Sequence, residues 1–141
     1  MSDAKDEYAK SVNEKAIDSS NMVLKTLILI HGGSAVALLA FIGNLSGKTS
    51  PILGGKIGSL ATTIIWFGWG VAITVAAMTC AYFTNYLTVG HAFADIEETK
   101  KRYAFWKAAF HIPAVLLTLS SLCLFLFGMY QVRDAISAAL R

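Results

Sequence analysis

Ionisable side chains are scarce in this chain. Charged residues fill 15% of its 141 positions, against about 25% in a typical soluble domain, while hydrophobic residues reach 55%. That balance excludes intrinsic disorder, which needs low hydrophobicity and high charge. A net charge of +3, thinly spread, gives no nucleic-acid footprint. The length leaves no room for an enzyme with separate cofactor and substrate domains. Cysteine is rare too. Cys80 and Cys123 both fall in apolar runs and read as small hydrophobes, so neither a disulfide nor a zinc site is expected. No nucleophile–base pair, zinc-protease helix or dinucleotide fingerprint occurs. Gly47-Lys48-Thr49 has Ile42 where a phosphate-binding loop needs glycine. The chain is therefore read as a non-enzyme with no cofactor.

What is present is a set of long uncharged runs. No Asp, Glu, Lys or Arg occurs in residues 26–47, 57–94 or 108–132. A hydrocarbon core about 30 Å thick takes about 20 helical residues to cross, so each run can span a bilayer. The runs lack the period-two alternation of a membrane barrel, and helices satisfy their own backbone as lipid demands. The expected fold is an all-α integral membrane protein, a single membrane domain over 1–141. It comprises a cytoplasmic amphipathic helix (2–20), a first span (22–43), an outer loop (44–59) and a second span (60–88). A cytoplasmic helical hairpin (89–108), a third span (109–130) and an outer tail (131–141) follow. The acidic lean of residues 1–21 does not fit a secretory signal, so the first span reads as a retained anchor. The segment 44–59 is rich in Gly, Ser and Pro and reads as irregular.

Lys5, Lys10, Lys15 and Lys25 flank the first span, and Lys100, Lys101, Arg102 and Lys107 lie in the second connection. Lys48, Lys56, Arg133 and Arg141 lie on the opposite side. Basic residues favour the cytoplasm, which predicts the N-terminus inside and the C-terminus outside. Phe93, Ile96, Tyr103, Trp106 and Phe110 recur near helical spacing. They suggest a hairpin turning near position 101, packed with the N-terminal helix as a small bundle. Phe93, Tyr103 and Trp106 are then candidate contacts for a membrane or cytoplasmic protein partner.

Helices in lipid associate through close packing of small residues. Stripes of these run through Gly33, Ala37 and Ala40, through Gly68, Ala72, Ala76, Cys80 and Thr84, and through Ala114, Thr118, Ser121 and Gly128. They predict helix packing and a homo-oligomer. His31 is the strongly polar side chain nearest the centre of a span. An intramembrane histidine can line an ion or proton path. With no intramembrane carboxylate to complete a relay, the favoured reading is a neutral ring bonded to a neighbouring helix, with Thr79 and Tyr82 at similar depth. A turn near 101 would level His91 with His111, a weak haem or metal pair lacking further ligands.

The segment Leu24–Leu45 (LKTLILIHGGSAVALLAFIGNL) resembles the opening span of small bacterial inner-membrane proteins. Those read Leu-rich, then Asn-Gly-Gly-Ala-Ala, then Val-Ala-Leu-Leu-Ala-Phe; here His31 stands for the Asn and Ser34 for an Ala. The resemblance implies a bacterial inner membrane and carries no function with it. The leading expectation is a self-associating scaffold or accessory subunit. The alternative is a homo-oligomeric pore, holin-like or an effector pore, lined by His31 and the Thr79 face. A haem- or metal-binding membrane subunit or a proton-coupled transporter comes after both.

Overall fold

The computed structural model describes residues 2–46, 51–94 and 96–139. They form three helices and, among the described residues, no strand: α1 (Ser2–Ser46), α2 (Pro51–Ala92) and α3 (Glu97–Ala139). All three are long and apolar enough to cross a membrane. At 1.5 Å rise per residue each runs about 60–70 Å, twice what the hydrocarbon core requires. The helices therefore continue well past lipid.

Element boundaries follow from local chemistry. Pro51 opens α2, where a missing N–H costs nothing and a fixed φ is already helical. The Gly-rich stretch behind it is helical too, so the irregular segment expected over 44–59 is replaced by helix on both sides of residues 47–50, which lie outside the described residues. The second connection is tight. The Phe93 amide donates to the Val89 carbonyl (3.2 Å) as α2 ends, and the Lys100 amide donates to the Ile96 carbonyl (3.0 Å) as α3 begins. Glu97 and Glu98 occupy the first turn of α3, where their carboxylates face the positive end of the helix dipole.

α2 thus ends at Ala92 and α3 begins at Glu97, so the helices do not turn near 101, which corrects two expectations. Phe93 and Ile96 lie between the two helices and share no helix face with Tyr103. His91 and His111 are also not level: His91 closes α2, while His111 lies about 21 Å along α3 from Glu97. Both are exposed, and no metal-binding group of three His, Cys, Asp or Glu occurs among the described residues.

The helices alternate in direction, with α2 in the middle. It packs most extensively on α3 and less on α1, while α1 and α3 barely touch. The result is an open row rather than a closed bundle. Its apolar core is small: Leu38, Leu60 and Phe67 are buried, with Ile42, Ile64 and Phe125 packed around them. Large apolar side chains such as Leu29, Val36, Leu116 and Leu126 are exposed, a surface suited to acyl chains rather than water. At the N-terminal end, Tyr8 and Val12 are exposed, so α1 stands beside the α2–α3 hairpin without sealing against it. The expected small bundle is a loose one.

Candidate functional site

Midway along the row a polar cluster joins all three helices. His31 on α1 has no exposed surface, although α1 otherwise touches α3 very little. Its ring crosses α2 at Gly70, where a Cβ would overlap the imidazole. Glycine is required there because the histidine passes through the space a side chain would fill. The imidazole Nε2 lies 3.0 Å from Ser121 Oγ and 3.1 Å from the Ser121 carbonyl oxygen, both on α3. The Ser121 hydroxyl in turn donates to the Gly70 carbonyl at 3.1 Å. Thr74 Oγ1 donates to that same carbonyl at 2.8 Å and lies 2.7 Å from Ser121 Oγ, within hydrogen-bond distance.

A carbonyl oxygen can only accept, so Nε2 must be the protonated nitrogen of the neutral ring. Every proton of the cluster then has an acceptor. What remains is Nδ1, a buried lone pair with no partner. An acceptor left unpaired is a smaller penalty than a stranded N–H, which the other tautomer would create.

Aromatic rings wall the cluster. Phe67 and Phe125 present edge contacts to His31, with centroids 6.0 and 5.5 Å from it. The Phe67 ring is seated on α3 by a second glycine. A Cβ at Gly128 would stand 3.0 Å from it. Two glycines on two helices thus hold two rings, one polar and one apolar.

His31 does bond to a neighbouring helix, through Ser121. Thr79 and Tyr82 lie elsewhere. Thr79 is exposed and donates to the Val75 carbonyl of its own helix at 3.0 Å, and Tyr82 is exposed beside Phe83. Gly70, Thr74, Phe67 and Phe125 were not singled out from sequence. A signal for two of them was available. Gly70, Thr74, Ala77, Ala81 and Thr84 follow spacings of four and three, which keep to one helix face.

The stripe Gly68, Ala72, Ala76, Cys80, Thr84 does not hold one face. A strict four-residue repeat rotates about 40° per step on a 3.6-residue helix. Gly68, Ala72 and Ala76 accordingly point outward, Cys80 is half-buried and Thr84 is buried. Gly33, Ala37 and Ala40 on α1 also face outward. The α3 set, Ala114, Thr118, Ser121 and Gly128, packs within the protomer along its whole length, against α2. Of the candidate contact residues, Phe93 and Trp106 are exposed, whereas Tyr103 packs on Gly90, its ring 2.8 Å from where a Cβ would stand.

No family model, curated protein or solved structure matches the chain.

Proposed function

We propose that the protein is a non-enzymatic, self-associating scaffold or accessory subunit of a bacterial inner membrane. In this reading the N-terminus and the hairpin face the cytoplasm and the C-terminus faces outward. The observation that carries it is the outward direction of two small-residue surfaces. A Cβ built at Gly33 or Gly68 meets nothing within 4 Å, so both backbones are open to close approach by another helix. In lipid that approach is a main source of helix association. An open row of three helices also leaves long unpartnered faces, which a second copy would cover. Exposed Phe93 and Trp106 at the hairpin end give a partner protein something to hold.

The pore reading has less support. His31 is enclosed within the protomer by Ser121, Phe67 and Phe125, so it does not face a lumen shared between copies. Any such lumen would run along the outward face bearing Thr79 and Tyr82.

Disulfide cross-linking in native membranes tests the proposal. In a background with Cys80→Ser and Cys123→Ser, Ala72→Cys should form a dimer on mild oxidation. Ala77→Cys, buried against the neighbouring helices, should not. Reconstituted liposomes should show no added conductance. A monomer at every outward position, or a steady ionic current, would overturn the scaffold reading.

A further inference from the structure

Because α1 and α3 diverge, a lateral groove of about 600 Å³ opens between them with α2 as its floor. That size falls in the usual range of about 300–1,000 Å³ for ligand sites. The groove is graded along its length. At the hairpin end it is lined by Asn13, Asn85, Thr88, Lys107 and His111; at the deep end, by Leu24, Ala114, Val115 and Leu119. Lys107 to Leu119 covers about 18 Å of helix. Lys107 is the last charged residue before the third uncharged run, which puts its ammonium at headgroup depth with the apolar end in acyl territory.

The charge pattern selects the occupant. The lining holds one lysine and no carboxylate. Among the described residues, Asn13, Asn85, Lys107 and His111 make no hydrogen bond or ion pair, so these lining side chains keep N–H donors available to a ligand. The threonine hydroxyl of Thr88 is already committed, donating to the Thr84 carbonyl at 2.8 Å. Free N–H donors with one ammonium complement an anion bearing several acceptor oxygens, and the apolar end complements a hydrocarbon chain.

We infer that this groove binds an anionic glycerophospholipid, its phosphate among Lys107, Asn85 and Asn13 and one acyl chain along Val115 and Leu119. The site is separate from the outward small-residue faces, so it does not depend on self-association.

Native mass spectrometry of the full chain released from detergent micelles tests this directly, with phosphatidylglycerol, phosphatidylcholine and inorganic phosphate as probes. Phosphatidylglycerol should be retained in preference to phosphatidylcholine, at one lipid per protomer. Lys107→Gln should weaken that binding about fivefold or more, as expected for one ammonium at a membrane surface. Lys101→Gln removes an equal charge outside the lining and should leave binding unchanged. Val115→Trp fills the apolar end and should weaken binding as well. Circular dichroism confirms that each variant is folded. Equal retention of both lipids would overturn the inference. So would equal effects at Lys101 and Lys107, indifference to Val115→Trp, or saturation by inorganic phosphate alone.

Discussion

A methyl group at position 70 would occupy the space held by the His31 imidazole, and the three nearest atoms to it all belong to that ring. Gly70 and His31 are therefore energetically coupled, and a double-mutant cycle reads the coupling. Gly70→Ala alone forces the ring away and should destabilise the protein by about 1–3 kcal/mol, the usual range for overpacking. His31→Ala loses the bond to Ser121 and leaves a cavity, together about 2–4 kcal/mol. In the double variant the new methyl meets no imidazole. Its stability should then match His31→Ala alone rather than fall by the sum of the two. Reversible unfolding in mixed micelles measures all three proteins. Strict additivity would mean that the ring does not cross α2 at this glycine.

At the scale of whole helices, much was readable from the positions of charge. Three uncharged runs predicted three spans, and three helices carry them. The run ends were less legible, because the glycines of 51–59 suggest a loop, whereas Pro51 is suited to opening a helix and each interior glycine costs only about 1 kcal/mol, which the long helix it extends can tolerate. The break between α2 and α3 was hidden by the absence of Gly or Pro. Its marker was the acidic pair Glu97–Glu98 at a helix start. The polar cluster was half legible: His31 stood out as polar in an apolar run. Its partner did not, since Ser121 looks like any small packing residue until a glycine on α2 lets the ring reach it.

Unequal packing along α1 has a dynamic consequence. Between Glu7 and Ser20 nearly every described side chain is exposed, whereas Leu24, Leu27, His31 and Leu38 are buried. A helix of that length without tertiary packing is marginal in water. Amides of residues 7–20 should exchange with deuterium orders of magnitude faster than those of residues 63–77 on α2, when followed by mass spectrometry in nanodiscs. Equal protection would show that the N-terminal segment is covered, by the hairpin or by another chain.

For the whole molecule, the level of the polar cluster sets how the helices project. His31, Gly70 and Ser121 touch and so share one height. From there α1 extends 29 residues to Ser2 and 15 to Ser46, and α3 extends 24 residues to Glu97 and 18 to Ala139. With half a hydrocarbon core taking about 10 residues, the longer projections lie at the N-terminal and hairpin end. The same end carries eight of the twelve basic residues, the other four lying opposite. The proposed orientation puts this more basic end in the cytoplasm, as the bias of Lys and Arg beside the spans favours. Impermeant maleimide applied to intact spheroplasts separates the two orientations. With Cys80→Ser and Cys123→Ser as background, Ser137→Cys should label in intact cells, and Ser11→Cys only after the membrane is opened. The reverse pattern would place the hairpin outside. It would also put the Lys107 end of the groove in the opposite leaflet, where any anionic lipid would have to be drawn from a different pool.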